Sequence, residues 1–361
     1  MYQISRKGKD LKGKINISGS KSESNRLLIL RAYTSYFNIL NISDSDDTKT
    51  VMDALESNNE EINIGHAGTA MRFLTSYYSS ISNSKKILTG SSRMKNRPIS
   101  LLVEALNELG CDIEYIDKIG YPPIKINGKL ISNTTVSLPA NISSQYISSL
   151  MMLGISLENG LKIKLSTKIT SLPYILMTKR IIERIGGSVQ INSNYIIIQQ
   201  LKSKNITDQN VESDWSSASY FFSLAALSNY CDITLSTFFK KSIQGDSKLV
   251  EIYKKLGVKT VFKENKIHLK KKKIKLPDKI SINLKDNPDL AQTIVITCLG
   301  LGVDCTLSGL HTLKIKETDR LLALKKEIEK FDVDSVKITE ESIELRNSSN
   351  LKSEVCIDTY N

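Results

Sequence analysis

Apolar and polar residues along this chain follow a pattern that predicts two kinds of helix. The first kind carries one apolar stripe, which in residues 249–262 consists of Leu249, Ile252, Tyr253 and Leu256. A glycine or an aspartate ends each such helix, and a short strand pattern follows it. Because this plan recurs about every 73 residues, we predict a chain built from repeats of one unit. The copies span residues 102–115, 178–191, 249–262 and 324–338.

The second kind of helix is apolar on almost every side and begins with a cluster of polar residues. A helix of this kind must be buried, and parallel neighbours bring their N-termini to a common pole. Unpaired N–H groups and positive dipole ends then meet at that pole, which forms a site for anions. The predicted buried helices lie in residues 20–33, 65–78, 143–156, 213–227 and 286–300.

The repeat also predicts an element at the end of the chain. The next buried helix is due about where the sequence stops, at Asn361. We therefore expect the chain to be truncated, with its last repeat incomplete.

Composition narrows the class of protein. A length of 361 residues suffices for two domains, and 40% apolar with 24% charged residues is typical of a soluble protein. The N-terminus lacks the apolar core of a signal peptide, and the longest near-apolar run, residues 293–303, is too short to span a bilayer. Five cysteines without a CxxC pair, and three histidines, argue against disulfides and a metal site. We expect a cytoplasmic protein without a metal or a membrane partner.

The formal charge of +12 raises the alternative of a non-catalytic protein that binds nucleic acid or another polyanion. The densest basic run, residues 269–279, lies between two strand patterns and is typical of a solvated hairpin edge. Aromatic residues that could stack on bases do not interleave with it. Small anionic ligands explain the charge at least as well, so we expect no nucleic-acid partner.

The polar clusters and helix starts fall in a series of short motifs. In chain order they read SGSKSESNR, GHAGTAMRFL, TGSSRMKNRPI, SSQYISSL, SLPYILMTKR, VESDWSSASYF, DNPDLAQTI and KIKETDRLLAL. Each motif alone is a weak signal, whereas the whole series in this order is specific. It closely resembles the 5-enolpyruvylshikimate-3-phosphate (EPSP) synthase family, the shikimate-pathway enzymes that glyphosate inhibits.

The resemblance implies a fold. Members are α/β proteins with two domains, an inside-out α/β barrel called the enolpyruvyl transferase fold, built from βαβαββ repeats with the active site in the cleft between the domains. By this resemblance, residues 1–18 plus 213–361 form the first domain and lack its last unit, and residues 19–212 form the second. The resemblance also implies a monomer.

The resemblance further implies a reaction and no cofactor. The family transfers the enolpyruvyl group of phosphoenolpyruvate to the 5-hydroxyl of shikimate 3-phosphate by addition and elimination, and releases phosphate. This chemistry requires cations for two phosphates and a carboxylate, an acid and a base. In the family, a stretch beyond the position of Asn361 carries an arginine and a lysine that grip phosphoenolpyruvate, so we expect the truncated chain to be poorly active.

Residue roles follow from the motifs. By resemblance, Lys21 contacts both substrates, Asp289 is the base and Glu317 is the proton donor. The predicted shikimate 3-phosphate site comprises Lys21, Ser22, Arg26, Ser143, Ser144, Ser171, Tyr174, Asp289 and Lys316. The predicted phosphoenolpyruvate site comprises Lys21, Gly68, Arg93, Gln145 and Arg320.

Simpler interpretations of single residues remain open at this point. Ser143 and Ser144 taken alone are typical helix N-caps, and Asp289 is typical of an acid in a first helical turn. Glu317 and Arg320, three residues apart, are typical of a surface ion pair. Within the same fold, UDP-N-acetylglucosamine enolpyruvyl transferase is an alternative, but it normally has a reactive cysteine where this chain has SSRMKNRP, which contains none.

Overall fold

The chain forms two compact units. Unit A is Ser18–Val211, and unit B is Met1–Ile17 together with Glu212–Asn361. The computed structural model describes residues 10–34, 37–139, 143–167, 172–202, 206–316, 318–331, 336–346 and 351–360. The units fall close to the ranges expected for the two domains, and the domain assignment itself stays a prediction.

The helices occur where the apolar patterns predict them. Their bounds are α1 Lys21–Tyr33, α2 Asp46–Glu56, α3 Gly68–Ser80, α4 Ser100–Glu108, α5 Ser144–Gly154, α6 Leu172–Arg184, α7 Trp215–Leu227, α8 Leu249–Lys254, α9 Ala291–Leu301 and α10 Arg320–Glu329. Short 3-10 turns lie at Met94–Asn96, Gly245–Lys248, Pro288–Leu290 and His311–Ile315.

The strands are short and lie between these helices. Their bounds are β1 Asp10–Ile15, β2 Ile39–Leu40, β3 Glu61–Asn63, β4 Lys85–Thr89, β5 Asp112–Tyr115, β6 Ile124–Asn127, β7 Thr135–Leu138, β8 Leu161–Leu165, β9 Val189–Ile191, β10 Tyr195–Ile198, β11 Gln209–Asn210, β12 Tyr230–Ser236, β13 Val258–Lys263, β14 Lys266–Lys271, β15 Lys279–Asn283, β16 Asp304–Ser308, β17 Val336–Ile338 and β18 Ser342–Leu345.

One sheet plan recurs in both units. Unit A contains the sheets β3-β4-β6-β5 and β7-β8-β10-β9, and unit B contains β1-β12-β14-β13 and β15-β16-β18-β17. In each sheet the first two strands are parallel and the remaining pairs are antiparallel. A buried helix connects the parallel strands in three of the four, and an amphipathic helix leads into the hairpin. This is the predicted βαβαββ unit, so the α/β fold class is confirmed.

Burial follows the two predicted kinds of helix, and the largest departure is in α7. Leu27 to Leu30 of α1 are fully buried, and so are Leu249 and Tyr253 on the stripe of α8. The prediction that residues 213–227 are buried on every side is wrong for one face of α7. Tyr220 is 64% exposed, and Leu224 is exposed on the same face. Helix α7 packs on α9 and on the sheet β1-β12-β14-β13, and these contacts cover only its other faces.

A polar network fixes the start of α7 in the core of unit B. The buried carboxylate of Glu212 accepts hydrogen bonds from the Trp215 indole (2.9 Å), the Phe239 N–H (2.9 Å), the Ser242 hydroxyl (2.5 Å) and the Gln244 amide (3.2 Å). The Trp215 ring packs edge-on against Phe238, with centroids 4.7 Å apart. Glu212 therefore fastens residues 238–244 to the helix.

Replacing Glu212 by alanine is expected to destabilise the protein by about 3 kcal/mol or more, because buried donors lose their acceptor. Urea unfolding followed by circular dichroism measures this change. Glu329→Ala is the matched control, since Glu329 forms an exposed helical pair with Lys325 at 3.5 Å; its effect is expected to stay below about 0.5 kcal/mol. Equal effects of the two substitutions would contradict the role of the network.

The described residues show further properties that bear on function. None of their helices is long and apolar enough to cross a membrane. The five cysteines are free thiols, four of them buried and Cys356 exposed. Within the same described ranges, no three His, Cys, Asp or Glu side chains come together as a metal site would require.

Candidate active site

Helix α1 begins at the first predicted site residue. Lys21 is its first residue, where the positive end of the helix dipole adds to the charge of the ammonium group. Its Nζ lies 3.5 Å from Oδ1 of Asp47 in α2, and the Lys21 side chain remains 42% exposed. Ser22 is partly buried in the same turn, and its carbonyl accepts a hydrogen bond from Arg26 over 2.7 Å. The turn thus presents an accessible cation next to a helix N-terminus.

Arg26 lies one turn deeper and is almost fully buried. Its Nε donates to Thr178 Oγ1 over 2.7 Å, and its Nη2 donates to Ser148 Oγ over 3.1 Å. The guanidinium also lies over the ring of Phe73, 5.3 Å from its centroid. Burial lowers the pKa of Arg26 to about 10, so the group stays charged at neutral pH. Arg26 therefore supplies positive charge beneath the start of α1.

The starts of α3 and α5 meet through one side chain. Ser143 caps α5 by accepting the Gln145 N–H over 3.3 Å, which confirms the N-cap interpretation of this serine. Ser144 follows it and is buried. The Gln145 amide donates to Thr69 Oγ1 in the first turn of α3 over 3.2 Å. Two buried helices of unit A thus begin side by side, as the common pole requires.

Gly68 makes room for a cation. A Cβ atom on this first residue of α3 would lie 2.4 Å from Nη1 of Arg97, so any side chain there would force the guanidinium to move. Nothing in the sequence singles out Arg97, although it lies in the motif TGSSRMKNRPI. Its contact with a glycine 29 positions away leaves no signal in the spacing of residues. Arg93 lies in the same loop and is exposed. Ser91 Oγ of this loop lies 2.9 Å from Nδ1 of His66, just before α3.

The start of α6 also approaches this group. Tyr174 is partly buried in the first turn of α6, and its carbonyl accepts a hydrogen bond from Thr178 over 2.9 Å. Burial lowers the pKa of Arg26, and the phenol of Tyr174 raises it by a smaller amount. Ser171, predicted in the same site, lies outside the described residues.

Unit B gathers a second group of predicted site residues. Asp289 lies in the turn Pro288–Leu290 that leads into α9. Its Oδ1 lies 2.8 Å from Nη1 of Arg320 and 3.4 Å from Nζ of Lys316. Arg320 is the first residue of α10, which Asp319 caps by accepting the Leu322 N–H over 3.0 Å. One carboxylate therefore lies between two cations, while Glu317, the predicted proton donor, lies outside the described residues.

A second carboxyl group, which the sequence did not point to, is hydrogen-bonded to Asn287, two residues before Asp289. Asp246 is 7% exposed in the turn Gly245–Lys248. It accepts hydrogen bonds from Ser216 Oγ and from Asn287 Nδ2, the latter over 3.3 Å. Burial, together with the negative charge of Asp289, raises the pKa of Asp246 to about 7. Its only sequence signal is a charged residue just before the apolar stripe of α8.

Helix starts that carry lysine, arginine and hydroxyl side chains are a combination suited to small, highly charged anions. Together with the repeated βαβαββ sheets, these helix starts define an enzyme of the enolpyruvyl transferase fold. The fold is shared with the solved structure of EPSP synthase from Acinetobacter baumannii, at a TM-score of 0.70 and 20% sequence identity over 96% of this chain and 84% of that one. A family model described as EPSP synthase (3-phosphoshikimate 1-carboxyvinyltransferase) matches residues 5–62 and 53–361. The chain belongs to the EPSP synthase family.

Sequence relatives agree with this assignment. A 3-phosphoshikimate 1-carboxyvinyltransferase of Bacteroides fragilis (strain YCH46) is 44% identical over 322 residues, which cover 89% of this chain and 78% of the relative. The enzyme of the same description from Colwellia psychrerythraea is 33% identical over 380 residues, covering 97% of this chain and 88% of the relative. The chain is therefore a transferase of the shikimate pathway of aromatic amino-acid biosynthesis, and the family and enzyme class predicted from the motifs are confirmed.

Proposed function

We propose that this chain transfers the enolpyruvyl group of phosphoenolpyruvate to the 5-hydroxyl of shikimate 3-phosphate, and that the residues predicted from the motifs carry out the reaction. The observation that supports these roles best is the Asp289 carboxylate, held at 2.8 Å from Arg320 and 3.4 Å from Lys316. The two cations keep the Asp289 carboxylate ionised and so able to accept a proton, and they can also bind phosphate or carboxylate groups nearby.

We assign shikimate 3-phosphate to the residues that the motifs predict for it. Lys21 contributes an accessible ammonium group at the start of α1, and Arg26 contributes charge from below it. Ser144 and Gln145 stand at the start of α5, where the positive end of the helix dipole favours a phosphate. The full proposed set is Lys21, Ser22, Arg26, Ser143, Ser144, Ser171, Tyr174, Asp289 and Lys316.

We assign phosphoenolpyruvate to the predicted site residues that include a glycine and two arginines. The exposed guanidinium of Arg93 and the planar fork of Arg320 are suited to a carboxylate or a phosphate. Gly68 lets the Arg97 guanidinium approach the start of α3, and Gln145 joins that start to α5. The proposed set is Lys21, Gly68, Arg93, Gln145 and Arg320.

The proposed chemistry balances without a cofactor. Asp289 accepts the proton of the 5-hydroxyl. The hydroxyl oxygen bonds to C2 of phosphoenolpyruvate, and Glu317 protonates C3. In the elimination, Glu317 takes a proton back from C3, the C2–O bond to phosphate breaks, and Asp289 returns its proton to the leaving phosphate, which restores the vinyl group. The positive charge of Lys21 stabilises the charge that develops on the adduct.

One assay tests the proposed function. Purified protein is mixed with phosphoenolpyruvate and shikimate 3-phosphate, and released phosphate and the enolpyruvyl product are measured together. We expect release to require shikimate 3-phosphate and not to occur with UDP-N-acetylglucosamine as acceptor. Release with the nucleotide sugar instead, or binding of nucleic acid without turnover, would contradict the proposal.

Gly68→Ala is expected to raise the KM for phosphoenolpyruvate about tenfold, equivalent to about 1.4 kcal/mol, because the new methyl group displaces the Arg97 guanidinium. The KM for shikimate 3-phosphate is expected to change less than about twofold, because the substitution weakens the binding of phosphoenolpyruvate only. Steady-state kinetics with each substrate varied in turn measure both values. Ser92→Ala, at an exposed position of the neighbouring loop, is the control, and an equal rise of both KM values in Gly68→Ala would contradict this assignment.

We further propose that the protein acts as a monomer in the cytoplasm. The free thiols, four of them buried, support a reducing compartment. Light scattering coupled to size-exclusion chromatography tests the monomer, and a mass of twice 40.4 kDa would contradict it.

A further inference from the structure

Asp246 has no part in the reaction as proposed, yet it is built into the same group of residues. Its carboxyl is buried and is held by two neutral partners, Ser216 Oγ and Asn287 Nδ2. Ser216 lies in the first turn of α7, and Asn287 directly precedes the turn that carries Asp289. The carboxyl therefore joins two helix starts, and a change in its charge or position reaches Asp289 through Asn287.

The turn that carries Asp246 is itself fixed. Gln244, two residues before it, accepts the Trp215 N–H over 3.1 Å and donates to the Ser213 carbonyl over 2.9 Å. The same Gln244 amide donates to Glu212 over 3.2 Å. Because the backbone is held on this side and by Ser216 on the other, Asp246 has little freedom to turn toward solvent.

The charges around Asp246 are unevenly distributed. Asp289 faces it from the start of α9 and Asp214 faces it from the cap of α7, and both raise its pKa in addition to the larger effect of burial, to about 7. Lys316 and Arg320 lie against Asp289. Lys248 ends the turn of Asp246 itself.

Two carboxyl groups that share a site do not ionise equally. The group that has the cations keeps its negative charge, and the buried neighbour holds a proton more strongly. In this cluster Asp289 has the cations and Asp246 has neutral partners. Their environments therefore separate an ionised carboxylate from a protonated carboxyl only a few side chains apart.

We propose that Asp246 is a positioning residue for Asp289 that works in its protonated form, and that it thereby keeps the positive charge of Lys316 and Arg320 available to the anionic substrates. This inference rests on the proposed function of the Asp289 cluster. When Asp246 ionises, a second buried negative charge appears beside Asp289, and binding of phosphate and carboxylate groups weakens.

The first test compares pH profiles. Asp246→Asn fixes a neutral group of the same shape, so the ratio of kcat/KM in this variant to kcat/KM in the wild type follows the charge of Asp246 alone; ionisation of the substrates cancels. We expect the ratio to rise about tenfold between about pH 6 and about pH 8.5, with the rise beginning near pH 7. Asp232→Asn on strand β12 is the control and is expected to give a ratio independent of pH. A constant ratio for Asp246→Asn would overturn the proposal.

The second test does not depend on turnover. Trp215 is the single tryptophan of the chain, directly before Ser216 in sequence, and its N–H bonds to Gln244. We expect the fluorescence of the ligand-free wild type to titrate near pH 7, and this transition to be absent from Asp246→Asn. In Asp289→Asn it is expected to move to lower pH, because a neighbouring negative charge is removed. A wild type without such a transition would overturn the proposal, even if Asp246→Asn failed to fold.

The two tests separate this inference from the proposed function. If the chain shows no turnover with shikimate 3-phosphate, the proposed reaction fails. The dissociation constants of shikimate 3-phosphate for the wild type and Asp246→Asn are then measured by tryptophan fluorescence, and the ratio of the two affinities replaces the ratio of kcat/KM values. A ratio of affinities that still rises with pH supports the role of Asp246 in anion binding. A flat ratio in an active enzyme overturns that role and leaves the reaction intact.

Discussion

Replacing Lys21 by methionine is expected to lower kcat/KM about 1,000-fold, equivalent to about 4 kcal/mol of transition-state stabilisation. Lys21 is proposed to contact both substrates, and its ammonium group adds to the positive end of the α1 dipole. Its pair with Asp47 at 3.5 Å is partly exposed and contributes at most about 1 kcal/mol to stability. The variant should therefore fold as the wild type does, and methionine preserves the length of the side chain. Phosphate release at varied substrate concentrations, together with urea unfolding, measures both effects.

Lys49→Met provides the matched control for this substitution. Lys49 lies in helix α2 of the same unit and forms an exposed pair with Asp46 at 3.7 Å. The substitution therefore removes the same charge as Lys21→Met does. Its kcat/KM is expected to stay within about twofold of the wild type. If Lys21→Met kept more than a tenth of wild-type activity, the assignment of Lys21 to both substrates would be wrong.

Asp289→Asn is expected to reduce kcat by about 1,000-fold, with a smaller change in KM. An amide cannot accept the proton of the 5-hydroxyl, and loss of a general base costs between about 100-fold and 10,000-fold in rate. The amide oxygen can still accept the hydrogen bond of Arg320, so the local geometry is preserved. Rapid mixing with excess enzyme measures the chemical step separately from substrate binding.

Asp319→Asn is the control for the Asp289 variant. Asp319 caps α10 one residue before Arg320, and asparagine is an equally good N-cap. We expect its kcat to remain close to that of the wild type, so that any large loss in Asp289→Asn is specific to that position. A similar loss in both variants would indicate a general disturbance of α10, and the role of Asp289 as base would then be wrong.

Much of the architecture could be predicted because it depends on local periodicity. The apolar stripe of α8 recurs in α4, α6 and α10, and the all-round apolar pattern marks α1, α3, α5 and α9 as buried. A repeat with two helices and a hairpin permits few sheet topologies, because connections between parallel strands need a crossover. The position of most candidate site residues at helix starts followed from the same pattern.

What could not be predicted depends on contacts between distant parts of the chain. Asp246 meets Ser216, 30 positions away, and Asn287, 41 positions away. Neither spacing has a period, and the sequence around Asp246 is typical of an ordinary turn. The burial of Arg26 could not be predicted for the same reason. The motif placed its charge at the anion site, whereas its burial depends on Ser148 and Thr178 from two other helices.

The parallel pairing of β1 with β12 has a consequence for the order in which the molecule folds during synthesis. Asp10 of β1 pairs with Tyr230 of β12, so the first described strand leaves the ribosome long before its partner is translated. All of unit A is made in the interval, and within it β11, at the end of the unit, pairs with β2 near the start. Because domains tend to fold as they emerge, unit A is complete while β1 still waits for its neighbour. Unit B is the late-folding part, and its first sheet closes only across a long sequence separation.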